Sequence, residues 1–297
     1  TTLFRSLYQH TQAEGTIQYT SLFFVPQKAP FDMYQADYEP GVKLYVKRVF
    51  ITDDSKELMP TYLRFVRGII DSDDLPLNVS REILQQNKVM ANIRTSSVKK
   101  LLSEFKRVAD NEPEKYTQFI EQYNRPLKEG LYQDYANRDT LLELVRFKST
   151  EVEGFTSLKD YVERMNEDQK AIYYIAGEDE ETLRNSPLLE AYRKKDIEVL
   201  VMDDEIDEIV APSIGTYEEK ELKSVNRSGS AEELKTDEDE SKEKELEPLL
   251  KKIKDVLGER VKDVVASSRL SESPSCIVAD ESDPTMQMQH ILKAMGQ

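Results

Sequence analysis

Ile172-Tyr-Tyr-Ile175 is a short apolar run of a length typical of a buried β-strand. A helical stretch from about Glu180 to Lys195 follows it, and Glu198-Val-Leu-Val201 then repeats the strand pattern. This order predicts a parallel βαβ unit, because parallel neighbours need a crossover of a dozen or more residues. The loops carry no G-x-G-x-x-G sequence, so a dinucleotide site is not supported. The fold class predicted from this stretch is α/β.

The residues before this unit predict a sheet and then helices. Apolar side chains alternate with a period of two in Ile17–Val25 and in Val42–Val46, and a phase shift at Arg48 indicates a bulge. Asn78 or Ser80 is a candidate N-cap for the longest of the helices. Helical spacing predicts four helices, over Glu57–Ile70, Ser80–Ala109, Pro113–Asn124 and Asn137–Phe147.

The composition changes between Glu218 and Glu247, where large apolar residues almost vanish. This stretch predicts a solvated linker or an exposed polar helix. An amphipathic helix over Leu249–Leu257 follows, ended by Gly258. The remaining residues predict strands at Val261–Ser267 and Ser275–Ala279 and a helix at Met286–Met295, a small α+β unit at the C-terminal end.

Charge and residue usage exclude several classes of protein. The 297 residues carry a formal net charge of −16, which disfavours nucleic acid and acidic membranes as partners. The single cysteine fits a reducing compartment, and two histidines and one cysteine cannot assemble a zinc site. No apolar run approaches the ~20 residues of a membrane span. We therefore expect a cytoplasmic protein without a metal site.

Six segments carry a resemblance to a known family. Leu63-Arg-Phe-Val-Arg-Gly-Ile-Ile-Asp71 and Asp74-Leu-Pro-Leu-Asn-Val-Ser-Arg-Glu-Ile-Leu-Gln85 closely resemble the middle segment of the ninety-kilodalton heat-shock chaperones. Ala29-Pro-Phe-Asp32 and Lys43-Leu-Tyr-Val-Lys-Arg-Val-Phe-Ile51 do so too. Leu257-Gly-Glu-Arg-Val-Lys-Asp-Val264 and Met286–Gln297 resemble the bacterial HtpG-type branch. The resemblance covers nearly the whole chain and is loosest in Glu218–Glu247.

The resemblance implies a fragment of an ATP-driven chaperone. In the family, an N-terminal domain binds ATP with Mg and hydrolyses it, a middle segment completes the site, and a C-terminal domain dimerises. The chain is expected to lack the ATP pocket, and so to be no enzyme by itself, and to stop before the dimerisation helices. Two αβα units joined by helices are implied, with a large subdomain at 1–125, a helical connector at 126–155 and a small subdomain at 156–222. An acidic linker or helix at 223–247 and a partial C-terminal domain at 248–297 complete this division.

The resemblance assigns a catalytic role to Arg81, with Gln85 beside it. In the family, the arginine of this motif reaches the γ-phosphate of ATP in the neighbouring domain. A guanidinium can meet two of the oxygens over which hydrolysis spreads negative charge. Gln85 shares its helical face, four residues on. The alternative is that Arg81 is an ordinary residue of a first helical turn.

Two segments are candidate surfaces for non-native client proteins. One is the apolar stripe of the last predicted helix, whose methionines suit varied partners; its members are Met286, Met288, Ile291, Leu292 and Met295. The other is Glu208-Ile209, where relatives carry a tryptophan that this chain lacks. The stripe could instead pack on its own domain or on a missing helix, and Ile209 could face the core of the second unit.

Phe31 and Tyr34 follow Pro30 in a region that lies near the junction with the N-terminal domain in the family. They are either docking contacts or a cap on the core at the end of a hairpin. Asp53-Asp54 and Asp71–Asp74 lack the spacing of an EF-hand and are interpreted as turn residues. The implied partners are client proteins, the chaperone's own N-terminal domain, co-chaperones and a second copy in the full-length protein. The competing hypotheses are an acidic scaffold and a small hydrolase built on the βαβ unit.

Overall fold

The computed structural model describes residues 5–53, 58–76, 87–227, 229, 237–280 and 283. The chain divides into two compact units, Thr1–Arg146 and Phe147–Gln297. Each unit combines a five-stranded sheet with helices, which confirms the α/β fold class. The finer division at residues 126, 156, 223 and 248 stays a prediction.

The first sheet has the strand order β1-β2-β5-β3-β4. Its strands are β1 (Arg5–Glu14), β2 (Gln18–Pro26), β3 (Gly41–Val46), β4 (Val49–Thr52) and β5 (Arg67–Ser72). The predicted alternation in β2 is confirmed, because Tyr19, Phe23 and Val25 are buried while Gln18 and Thr20 are exposed. Sequence reasoning missed β1, which pairs antiparallel with β2 along almost its whole length.

The helix predicted over Glu57–Ile70 is wrong where the structure describes it. Thr61–Leu63 is a single 3₁₀ turn, and the residues from Arg67 onward form β5, hydrogen-bonded between β2 and β3. Gly68 has φ 155° and lies so close to β2 that a Cβ there would come within 2.1 Å of the Leu22 carbonyl oxygen. Hydrogen bonding of this segment to a strand on each side outweighs the helical spacing of its apolar residues.

The predicted bulge at Arg48 is also wrong. Lys47 and Arg48 have φ of 49° and 68° and form a two-residue turn between β3 and β4. Positive φ at both central residues is the geometry that matches the twist of a hairpin. The phase shift in the sequence therefore marks a change of strand, although the β3–β4 register does shift between Leu44 and Tyr45.

Three helices follow in the first unit, and a cluster of aromatic rings is buried there. They are α1 (Lys88–Asn111), α2 (Pro113–Gln133) and α3 (Arg138–Leu144). Asn87 has an extended backbone and caps α1, because its side-chain oxygen accepts hydrogen bonds from the N–H groups of Val89 and Met90. The prediction of one continuous helix from Ser80 to Ala109 is therefore wrong. α2 is longer than predicted. The rings of Phe65, Phe105, Phe119 and Tyr123 are in mutual contact, with Phe65 and Tyr123 stacked at 4.3 Å.

The second sheet has the order β6-β8-β7-β10-β9. Its elements in chain order are β6 (Lys148–Ser149), α4 (Leu158–Arg164), β7 (Ala171–Ala176), α5 (Glu180–Arg184), α6 (Glu190–Lys194), β8 (Val199–Met202), α7 (Asp207–Ile214), β9 (Thr216–Tyr217) and β10 (Lys220–Ser224). β7 and β8 are parallel, which confirms the βαβ unit. The single helix predicted over Glu180–Lys195 is interrupted by a 3₁₀ turn that begins at Pro187.

The residues after Glu218 depart from the predicted linker. β10 lies within that stretch and pairs with β7 in parallel, so this part of the prediction is wrong. α8 (Asp237–Leu257) ends at Gly258, whose φ is 58°, as predicted. Val261–Ser267 and Ser275–Ala279 are not strands; Ala279 makes an isolated bridge with Arg227. Within the described ranges no helix is long and apolar enough to cross a membrane.

Candidate functional site

The loop between β2 and β3 carries the two predicted interdomain residues. Three hydrogen bonds fold it into successive turns: Met33 N–H to Pro30 O, Gln35 N–H to Asp32 O and Tyr38 N–H to Gln35 O, at 2.9–3.2 Å. Met33 is buried and fixes the loop to the core, whereas Phe31 is 95% exposed. Phe31 is therefore not a core cap, and the loop presents its ring to solvent.

Tyr34 lies against two guanidinium groups. The Cζ atoms of Arg64 and Arg125 are 5.1 and 4.9 Å from the centroid of its ring, within the range of cation–π attraction. The ring is half exposed. Tyr34 is thus held in place while one part of it remains accessible, and Phe31, three residues away, extends from a loop that is fixed on both sides.

The loop borders a pocket of about 410 Å³. Its walls include Met33, Tyr34, Met59 and Pro60. Tyr38 also borders it and donates to the Arg64 carbonyl oxygen at 3.3 Å. Burial raises the pKa of Tyr38, so its hydroxyl stays protonated and a donor at neutral pH. The pocket combines apolar walls with a few fixed polar groups.

Glu208 and Ile209 lie on α7, in the second unit. Val210, Ala211 and Ile214 form the buried side of this helix, but Ile209 is 51% exposed and Glu208 is partly buried. The alternative that Ile209 faces the core is therefore wrong. An aliphatic side chain stands in water here, beside a carboxylate.

The other predicted site residues lie outside the described residues. These are Arg81, Gln85, Met286, Met288, Ile291, Leu292 and Met295. Their roles stay predictions. The acidic residues at 71–74 are described: Asp71 Oδ1 accepts from the Arg48 N–H at 3.1 Å, and Asp74 Oδ2 accepts from the Gln18 N–H at 2.5 Å. Both carboxylates bind backbone amides. Asp74 follows β5, as expected for a turn residue, but Asp71 lies within β5, so its interpretation as a turn residue is wrong.

Sequence reasoning missed an apolar surface on the open face of the first sheet. Tyr8, Phe50 and Ile69 are 43–66% exposed, and the ring of Phe50 packs edge-on against that of Tyr45, with 5.7 Å between the ring centroids. The sequence signal was present at Lys47-Arg48, where a hairpin turn places Val49 and Phe50 on an edge strand rather than on a continuation of β3.

Comparisons with known proteins identify the family of the chain. The family described as Hsp90 protein matches residues 5–297. The chain belongs to the Hsp90 family. The match confirms the resemblance to the ninety-kilodalton heat-shock chaperones that the motifs carry.

Two relatives illustrate the match. The chain is 64% identical over 299 residues to the chaperone protein HtpG of Treponema denticola and 59% identical over 296 residues to that of Aliarcobacter butzleri. These alignments cover 98% and 97% of the chain but only 47% and 46% of the relatives. The chain therefore spans about half the length of the curated relatives it matches.

A solved structure supports the fold. The middle domain of a Plasmodium falciparum heat shock protein matches with a TM-score of 0.66 at 34% identity, over 75% of this chain and 88% of that one. The sheets and helices described above are thus those of an Hsp90 middle domain over most of the chain.

Proposed function

We propose that this chain is the client-handling part of an ATP-driven chaperone. It presents apolar side chains to non-native proteins and contributes Arg81 to an ATP site carried by another domain of the same polypeptide. The observation that carries the first half is Phe31, which is 95% exposed on a loop whose Met33 is buried and whose Tyr34 packs against Arg64 and Arg125. An aromatic ring that the fold leaves almost wholly exposed is available to a partner, and aromatic side chains are enriched among the residues that dominate binding energies.

Ile209 supports the same proposal from the second unit. It is exposed on a helix whose other apolar residues are buried, so the fold gains nothing from its hydrophobicity. Together with Glu208 it offers an apolar contact beside a charge. The stripe Met286–Met295 adds flexible thioethers that can adapt to different clients.

The proposed role of Arg81 rests on the family motif and on electrostatics. Phosphoryl transfer builds charge on the γ-phosphate, and a guanidinium supplied from a second domain stabilises it only when the domains close. ATP and Mg would bind to that other domain, and Gln85 would assist Arg81. Phe31 and Tyr34 are proposed to lie near the junction between the domains. Cytoplasmic location, dimerisation of the full-length protein and co-chaperone binding belong to the same proposal.

The competing functions have less support. A hydrolase on the βαβ unit would need a base beside a nucleophile, but the chain's histidines are His10 and His290, and neither lies in residues 147–227. An acidic scaffold would use Glu218–Glu247 as a solvated tail, yet Lys220–Ser224 of that stretch is a paired strand.

Binding of an unfolded, fluorescently labelled protein to the chain tests the proposal. Phe31→Ser and Ile209→Ser should each weaken binding about five- to thirtyfold, because each removes an apolar contact of about one to two kcal/mol. Tyr135→Ser is the matched control, since Tyr135 is 76% exposed but lies outside the proposed contacts. Equal affinity of all four proteins, or equal losses in all three variants, would contradict the assignment of these residues.

A further inference from the structure

The two sheets differ in how their edges are protected. Exposed edge strands can pair with other chains, and proteins commonly keep them short or charged. In the second sheet the edge strands β6 and β9 have two residues each, and β4 of the first sheet has four. Among the described residues β1 is the remaining edge, and it has ten residues. Between Leu7 and Ala13 it contains no Lys, Arg, Asp, Glu or Pro.

Contacts of Gln18, Leu22 and His10 identify the backbone groups of β1 that point away from β2. Gln18, the partner of Glu14, donates its N–H to Asp74 and accepts from the Asp73 N–H, so both of its backbone groups are directed toward the β5 side. The Leu22 carbonyl, opposite His10, lies against Gly68 of β5.

The contact of His10 lies on β1 itself. The His10 carbonyl oxygen accepts a hydrogen bond from the side-chain amide of Gln9 at 3.0 Å. In an antiparallel pair a residue directs both its N–H and its C=O either toward its partner or away from it, in alternation. The even-numbered residues Tyr8, His10 and Gln12 therefore carry outward N–H and C=O groups, about 6.8 Å apart.

We propose that the outer edge of β1 binds extended segments of non-native proteins as an additional strand. The inference rests on the proposed chaperone function and specifies how a client is held. Backbone hydrogen bonds suit this task, because every polypeptide carries the same N–H and C=O groups whatever its side chains. Because Leu7–Ala13 contains no Lys, Arg, Asp or Glu, this edge does not select its partners by their charge. A second copy of the chain is disfavoured as the occupant, since two bodies of net charge −16 repel each other.

The variant that tests the edge is His10→Pro. Proline removes the outward N–H and places a ring where the added strand would pair, while the hydrogen bonds to β2 come from the odd-numbered residues. His10→Ala is the matched control, because it removes the side chain and keeps the N–H. The probe is a labelled, soluble octapeptide of alternating Thr and Val, measured by fluorescence anisotropy. We expect His10→Pro to bind about three- to tenfold more weakly than His10→Ala, the loss of one or two hydrogen bonds.

Amide hydrogen exchange on the unaltered chain gives a readout that does not depend on how the variant folds. Peptide binding should slow exchange at Tyr8, His10 and Gln12 and leave Gln9 and Thr11, already paired with β2, unchanged. Equal binding by His10→Pro and His10→Ala, or unchanged exchange at the even positions, would overturn the strand-addition proposal alone. A dimer that His10→Pro dissociates in sedimentation would overturn the proposed occupant. Failure of the unaltered chain to bind either the peptide or an unfolded protein would overturn the proposed function as well.

Discussion

Arg64 and Glu129 form a two-point ion pair inside the first unit. Arg64 Nη1 donates to Glu129 Oε2 at 2.7 Å and Nη2 donates to Oε1 at 2.6 Å, and the two side chains are only 11% and 12% exposed. Arg64 Nη1 also donates to the Thr61 carbonyl oxygen at 2.9 Å, and its guanidinium lies beside the ring of Tyr34. The pair thus joins the turn before β5, helix α2 and the loop that carries Phe31.

Removing one partner of this pair should destabilise the first unit. Glu129→Gln leaves a nearly buried guanidinium without its counter-charge, and we expect a loss of about 2–4 kcal/mol in the free energy of unfolding. Arg64→Lys keeps the charge but cannot form both hydrogen bonds, so a loss of about 1–3 kcal/mol is expected. Urea titrations followed by tyrosine fluorescence measure both values.

The control for these variants is an exposed ion pair. Lys159 Nζ and Glu163 Oε1 are 3.8 Å apart on the surface of α4, and both side chains are about two-thirds exposed. Lys159→Ala should leave the urea midpoints unchanged, because exposed pairs contribute little. If Glu129→Gln were as stable as Lys159→Ala, the Arg64 pair would not hold the loop as described.

Glu180 should make the stability of the second unit depend on pH. Hydrogen bonds from Lys148 and Arg184 hold the pKa of its carboxylate below the ordinary value of 4.5. The folded state therefore binds the proton less readily than the unfolded state. The stabilisation is complete above the ordinary pKa and is lost as pH falls through the folded-state value.

Glu180→Gln should accordingly lower the Tm at about pH 7 and have progressively less effect as pH falls below about 4. The measurement is thermal unfolding of both proteins across this range, at low salt so that the ion pairs are not screened. Two curves that run parallel at every pH would mean that the carboxylate does not contribute through its charge.

The Met286–Met295 segment should bind clients. Replacing Met288 and Leu292 together by Ser removes two of its apolar side chains and should weaken binding of an unfolded protein while leaving the circular dichroism spectrum unchanged. Gln289→Ser, in the same segment, is the polar control. Full-strength binding by the double variant would mean that the stripe is part of a core or takes no part in recognition.

The parts of the fold that sequence predicts are those where local pattern and tertiary environment agree. Ile172–Ile175 is apolar throughout because β7 is buried on both faces, so its strand is evident without partners. Gly258 ends α8 because its φ is positive. At Leu63–Ile70 the two disagree: the apolar residues are spaced as in a helix, but pairing with β2 and β3 makes Arg67–Ser72 a central strand. Lys220–Ser224 is polar and still becomes β10, through backbone bonds to β7 that composition does not encode.

The candidate site shows the same limit. The family resemblance alone identified Phe31 and Ile209, but each had an alternative in which it was buried, and no local pattern could decide between solvent and core. Whether such a side chain is exposed depends on which residue near it in the sequence is buried in the core. Met33 does so in the loop, and Val210 with Ile214 in α7. Sequence period distinguishes these positions only when the element and its register are already known.

The role proposed for Arg81 requires the full-length protein. Arg81→Ala should lower kcat for ATP hydrolysis by roughly ten- to a thousandfold, the loss of a charged transition-state contact of ~1.4–4 kcal/mol. The Kd for ATP should change much less, since adenine and ribose would be bound by the other domain. A structural Arg81 would instead lower the Tm and reduce activity only through unfolding, and a residue that merely binds ATP would raise the Kd in step with the rate loss. Gln85→Ala should give a smaller effect in the same direction, because a neutral amide forms a weaker hydrogen bond than a guanidinium. Turnover by Arg81→Ala within about a factor of two of the unaltered protein, less than half of the ~1.4 kcal/mol lower bound, would remove Arg81 from the catalytic site.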